Sequence, residues 1–248
     1  MDEPRLSRRR LLTAGAVIGA VPVATAAAAA ALGGRDVPYT EGRANAPAAV
    51  ENTSGWTWFT EAEAAFVSAA VGRLIPADDL GPGAVEAGVP VFIDRQLAGP
   101  YGRGERWYMQ GPWGTGVSTQ GWQTRLTPAG MYRAAIKSID ALVAHEGKAA
   151  TFARLAAADQ DAFLKTLESG DTRLDGVDAT EFFNQLLQNA IEGFWSDPIY
   201  GGNRDMAGWK LIGFPGARYD HSEFVGKHGE KYPLPPVGIR GRIEWTRS

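Results

Sequence analysis

The chain has 248 residues, a formal net charge of −3 and no cysteine. This weakly acidic balance lacks the basic footprint by which proteins bind nucleic acids or anionic lipids. The absence of cysteine excludes disulfide bonds, covalent haem attachment, thiolate-bound zinc, iron–sulfur clusters and a cysteine nucleophile. We therefore expect no nucleic-acid partner, and a stability that comes from packing and from protein partners.

The first 34 residues have the layout of an export signal: a basic head, then an alanine-rich apolar run that ends in glycines. Residues 7–12, SRRRLL, resemble the twin-arginine signal, with Arg8 and Arg9 as the arginine pair. An uncleaved membrane anchor or an ordinary secretion signal is the alternative. The twin-arginine translocase carries folded proteins, which usually hold a cofactor or are bound to a subunit that does. We therefore expect either a cofactor site in this chain or a partner subunit that has one.

The remaining chain divides into an extended linker and one helical domain. Residues 35–55 are rich in Gly, Pro, Ala and Asn without apolar periodicity, which predicts a linker. Residues 56–248 form the predicted domain, in which apolar residues recur at helical spacing. The predicted helices cover residues 60–75, 84–97, 127–147, 149–168, 178–195 and 203–211. We expect an all-α fold with long loops and an extended, proline-rich C-terminal tail.

Local signals mark the helix boundaries. Thr60 begins a capping box that Glu63 completes, and Asp178 with Glu181 repeats the pattern. Thr127 and Pro128 supply an N-cap followed by proline in the first turn, and Gly147 closes that helix. Two irregularities are expected: a kink at Pro90 within residues 84–97, and a break near Asp159 within residues 149–168.

No cofactor-binding motif stands out. No G-x-G-x-x-G follows a strand, and no phosphate-binding P-loop occurs. Of the three histidines, His145 lies near a helix C-terminus, where the helix dipole favours a cation. His221 and His228 would need neighbouring carboxylates such as Glu223 to bind a metal. We expect neither a cofactor nor a metal in this chain.

Paired carboxylates offer the sharpest enzymatic alternative. Asp78, Asp79 and Asp94 could act as the acid and base of a glycosidase, with loop tryptophans as sugar platforms. Turn chemistry is the stronger explanation for Asp78 and Asp79, because an aspartate in a turn accepts hydrogen bonds from the local backbone. A sugar-binding module that uses the same tryptophans is a further alternative.

The glycine-rich loop over residues 99–127 contains more aromatic side chains than a small helical domain can bury. Exposed Trp and Tyr on such a loop are typical of a partner interface. We predict an interface formed by Trp107, Tyr108, Trp113 and Trp122. A second glycine-rich segment, Tyr200, Gly201, Gly202, Asn203 and Arg204, is predicted to join it. The alternative for this segment is a tight turn with positive φ at Gly201 or Gly202.

Three sequence blocks resemble the gluconate 2-dehydrogenase subunit 3 family. They are LIPADDLGPGA at residues 74–84, followed by FID at 92–94; GFWSDPIYGGNR at 193–204; and GWKLIGFPG at 208–216. The resemblance implies the small subunit of a membrane-bound, periplasm-facing dehydrogenase for sugars, sugar acids or polyols. It also implies a large subunit with FAD and the catalytic base, and a multihaem cytochrome c subunit that passes electrons towards quinone.

In that family the small subunit carries no redox group and no catalytic residue. It stabilises the large subunit and supplies the export signal for both. The expected location is therefore periplasmic, on the inner membrane through the complex alone, after export by the twin-arginine route.

Overall fold

A computed structural model describes residues 55–114, 116–117, 119–218 and 221–239. This part of the chain contains six α-helices and no strand, which confirms the all-α prediction. The helices are α1 (Glu61–Leu74), α2 (Val89–Ala98), α3 (Pro128–His145), α4 (Ala157–Ser169), α5 (Ala179–Trp195) and α6 (Ala207–Ile212). The predicted signal and residues 35–54 of the predicted linker lie outside the described residues.

Helix α5 is the centre of the fold, because it contacts each of the other five helices. Its apolar stripe, predicted from the sequence, includes Phe182, Leu186 and Ala190, which are all fully buried. The ring of Phe182 packs 6.3 Å from that of Phe66 on α1 and 5.5 Å from that of Tyr132 on α3. Burial of such large apolar side chains is the main source of stability in a bundle of this kind.

The predicted caps of three helices are present. Thr60 and Glu63 form the reciprocal capping box of α1. The hydroxyl oxygen of Thr127 accepts a hydrogen bond from the Gly130 N–H, 3.1 Å away, at the start of α3. Asp178 accepts one from the Glu181 N–H at 2.8 Å, which starts α5.

Two boundary predictions were wrong. Helix α2 begins at Val89 rather than Ala84, so Pro90 lies in its first turn. A proline there removes an N–H that would have no partner within the helix, and no kink is needed. The predicted break near Asp159 falls earlier, because Leu155 and Ala156 are extended and Asp159 belongs to the first turn of α4.

A buried polar cluster attaches the long loop to the bundle. The hydroxyl of Tyr101 donates to Oδ1 of Asn189 at 3.0 Å and accepts from Nε2 of Gln185 at 3.3 Å. The hydroxyl of Tyr132 reaches the same Asn189 oxygen at 3.4 Å. Burial raises the pKa of Tyr101 to about 12, and burial also raises the pKa of Tyr132. The cluster therefore favours the neutral form of both phenols.

The C-terminal tail returns to the domain. Val237 forms a parallel bridge with Gly216, and the Val237 N–H donates to the carbonyl of Pro215 at 3.2 Å. The Ile239 N–H donates to Oδ2 of the buried Asp197 at 2.6 Å. Residues 237–239 therefore pack against the segments that follow α5 and α6.

Because the pKa of Tyr101 is raised in the folded chain, we expect the free energy of unfolding to fall at alkaline pH. The folded pKa of Tyr101 lies above the unfolded value near 10, so its stabilisation is complete below pH 10 and is lost as the pH rises through about 12. We expect the melting temperature to fall by about 4 °C between pH 9 and pH 11 from Tyr101 alone. Differential scanning calorimetry of the wild type and of Tyr101→Phe measures this. The variant should show a smaller fall, and equal falls would contradict the assignment.

Candidate partner interface

An apolar groove of about 290 Å³ opens between the turn after α1 and the junction of α5 with α6. Its lining residues come from all three sequence blocks described above and from one neighbouring residue, Ala207: Ile75, Pro76, Asp78, Leu80, Gly81, Pro82, Phe194, Trp195, Ala207 and Leu211. Asp78 is the only charged side chain among these ten. The groove can therefore accept apolar side chains from a partner.

A tight turn forms one wall of the groove. Asp78 and Gly81 exchange two backbone hydrogen bonds, at 3.1 and 3.2 Å. Oδ1 of Asp78 also accepts a hydrogen bond from the Leu80 N–H at 2.8 Å. These bonds fix the backbone on either side of Leu80, whose side chain is 76% exposed. The turn thus presents a leucine to solvent.

The other wall depends on glycines that let backbones approach closely. A Cβ on Gly208 would lie 2.5 Å from the Phe194 carbonyl oxygen, and a Cβ on Gly202 would lie 2.1 Å from that of Gly193. The indole N–H of Trp209 donates to the Trp195 carbonyl at 2.8 Å. Helix α6 is thereby fixed against the end of α5.

Four large apolar side chains are exposed on or next to the groove: Leu80 at 76%, Leu211 at 47%, Ile212 at 62% and Phe214 at 44%. Leu80 and Leu211 line the groove, and Ile212 and Phe214 follow Leu211 in the chain. Clusters of exposed apolar residues mark interaction sites. None of the four was predicted from the sequence as an interface residue, although a leucine within a Gly/Pro/Asp turn is a recognisable signal of an exposed apolar residue.

The predicted loop aromatics divide into two groups. Trp107 and Trp122 pack on each other at 4.6 Å, and the Trp122 indole donates to the Leu126 carbonyl at 2.9 Å. Tyr108 is 77% exposed, and the half-buried Trp113 lines a broad depression of about 540 Å³. Trp107 and Trp122 thus pack within the loop, and Trp122 also packs against the core, whereas Tyr108 is freely accessible. An interface role for the four stays a prediction.

The segment from Tyr200 to Arg204 is mostly internal. Gly201, Gly202 and Asn203 are buried, and Gly201 has φ +103°, as the tight-turn alternative expects. The buried Asn203 side chain donates to the Ser196 carbonyl and accepts from the Gly208 N–H, both at 2.8 Å. Tyr200 and Arg204 are exposed and stay candidates for a partner contact.

The carboxylates considered for catalysis have structural roles. Asp94 is 2% exposed and accepts three backbone hydrogen bonds, from Thr57 at 2.7 Å, Trp58 at 2.9 Å and Phe59 at 2.8 Å. Both of its oxygens are thus engaged with the segment that precedes α1. Asp78 holds its own turn, and Asp79 is exposed.

The described residues include no group of three His, Asp or Glu side chains arranged to bind a metal ion. His145 has the predicted position at the end of α3, and the ring of His221 packs 5.8 Å from that of Tyr232. No helix in the same part of the chain has the length and apolar character to cross a membrane.

The sequence model for gluconate 2-dehydrogenase subunit 3 matches residues 61–216, more than half of the chain. The chain belongs to the gluconate 2-dehydrogenase subunit 3 family. No curated protein and no solved structure matches it. The matched range includes every residue that lines the groove. The family description names a subunit of a dehydrogenase, which implies that the chain is part of a dehydrogenase complex.

The close approach at Gly202 predicts a large effect of a single methyl group. Gly202→Ala should lower the free energy of unfolding of the lone chain by about 3 kcal/mol, because the new Cβ meets a backbone oxygen that cannot move aside. Gly213→Ala is the matched control, since Gly213 has φ +69° with open space around it, and should lose about 1 kcal/mol. Urea denaturation measures both. If Gly202→Ala left the free energy of unfolding unchanged, the close approach of Gly202 to Gly193 would have no structural role.

Proposed function

We propose that the chain is the non-catalytic small subunit of a periplasm-facing, membrane-bound flavoprotein dehydrogenase. It stabilises the FAD-containing large subunit and supplies the twin-arginine signal that exports both. A multihaem cytochrome c subunit passes the electrons towards quinone, and the chain is held at the inner membrane through the complex alone. The substrate is a sugar, a sugar acid or a polyol.

The exposed apolar groove is the observation that carries this proposal. Four large apolar side chains are exposed on or next to one groove, and the free energy falls when a partner covers them. Family membership indicates that the partner belongs to a dehydrogenase. A stabilising role follows if the same surface is covered in the complex.

The escort role is supported by the sequence of the first 34 residues. The twin-arginine pattern predicts export in a folded state, and no cofactor motif was recognised in the chain. We infer that the need for folded export comes from the partner, which must bind its FAD before it crosses the membrane. Arg8 and Arg9 would then carry the large subunit as well as this chain.

Redox chemistry is assigned to the partners. The large subunit would hold FAD and the catalytic base, and the cytochrome subunit would hold haem c. The residues of this chain take part by holding the large subunit in place. The engagement of both Asp94 oxygens with backbone N–H groups argues against the glycosidase alternative.

The escort role predicts that two charge-conserving substitutions in the signal of this chain stop the export of the large subunit. With Arg8→Lys and Arg9→Lys together, the large subunit should remain in the cytoplasm, and dehydrogenase activity in the periplasmic and membrane fractions should fall at least tenfold. Arg10→Lys is the matched control, because Arg10 occupies the variable position of the pattern. Immunoblots of cell fractions and dye-linked activity of intact cells measure the effect.

The control should export the large subunit as the wild type does. If the double-lysine variant still delivered the large subunit to the periplasm, the escort role would be excluded. A complex without FAD in the large subunit would exclude the assignment to a flavoprotein.

A further inference from the structure

We propose that the groove binds one segment of the FAD-containing large subunit, which inserts two large apolar side chains and places a lysine or arginine beside Asp78. This inference rests on the proposed function and specifies its contact.

The volume of the groove sets the size of the inserted group. A buried apolar cavity of roughly 150 Å³ holds one benzene molecule. The groove, at about 290 Å³, therefore has room for two side chains of leucine or phenylalanine size. Side chains three or four positions apart on a helix present such a pair. Leu80 on one wall and Leu211 on the other would contact them from both sides.

The negative charge at the groove favours a partner segment that carries a lysine or arginine next to its two apolar side chains. Oδ1 of Asp78 accepts from the Leu80 N–H, while no partner for Oδ2 is found among the described residues. Asp79 is exposed next to it and likewise has no partner in this part of the chain. The carboxylate of Asp78 in the groove, with that of Asp79 next to it in the chain, attracts a cation and repels an anion.

A second copy of this chain fits the groove less well. In a symmetric dimer through this face, each copy would bring the same acidic turn, and no basic side chain lines the groove to pair with it. A partner of complementary charge supplies that basic side chain. The apolar rim formed by Leu211, Ile212 and Phe214 would remain available to the same partner.

The test measures the affinity of the full chain for the FAD-loaded large subunit of its complex by isothermal titration calorimetry. Leu80→Asn should weaken binding at least tenfold, because it places an amide in the apolar groove. Ile191→Asn is the matched control: Ile191 is 41% exposed on α5 and does not line the groove, so its affinity should be unchanged. Circular dichroism verifies that both variants fold.

The charge is tested separately. Asp78→Asn keeps an oxygen for the Leu80 N–H and removes the negative charge. Binding should weaken about threefold at low salt and depend less on salt than in the wild type. Asp175→Asn, at an exposed carboxylate that does not line the groove, should leave both quantities unchanged.

Wild-type affinity of Leu80→Asn would overturn the assignment of the groove while leaving the proposed function intact. If the wild-type chain did not bind the large subunit, the proposed function itself would be excluded. A dimer of the wild type that Leu80→Asn converts to monomer in sedimentation would assign the groove to a second copy. A tenfold gain in affinity on deletion of residues 1–34 would assign it to the chain's own leader. Either result overturns the proposal.

Discussion

The close contact between the backbone after α5 and the end of α5 itself determines the surface on which the proposed function depends. Gly202 lies so near the Gly193 carbonyl that no side chain fits between them, and Gly208 approaches Phe194 in the same way. Asn203 joins the two sides by hydrogen bonds to Ser196 and Gly208. Gly208 lies in the first turn of α6, so Leu211 reaches the groove because these glycines let α6 approach the end of α5.

The same contact accounts for the composition of the second and third sequence blocks. Gly202 and Gly208, and an asparagine with φ 45°, satisfy local packing. The first block has a comparable role, since the Asp78 turn places Leu80 at the opposite wall. Residues that are internal to the fold thus position a surface that exposes four large apolar side chains, as the proposed contact with a partner subunit requires.

The helices were predictable because their signals are local. Caps at Thr60, Thr127 and Asp178, and the stripe of α5, follow from the spacing of a few neighbouring residues. The groove was not predictable, because it joins residues 75–82 to residues 194–211, and no local pattern reports that contact. Aromatic content suggested the loop instead, but Trp107 and Trp122 pack on each other. Counting aromatic residues cannot distinguish a tryptophan that attaches a loop from one that binds a partner.

Amide hydrogen exchange of this chain, alone and bound to the FAD-containing large subunit, tests the central claim most directly. The account predicts slower exchange on binding at residues 78–82 and 209–214, which border the groove. It predicts no change over α4, none of whose residues line it. Protection confined to α4 or to the loop at residues 105–117, with the groove segments exchanging as in the free chain, would contradict it.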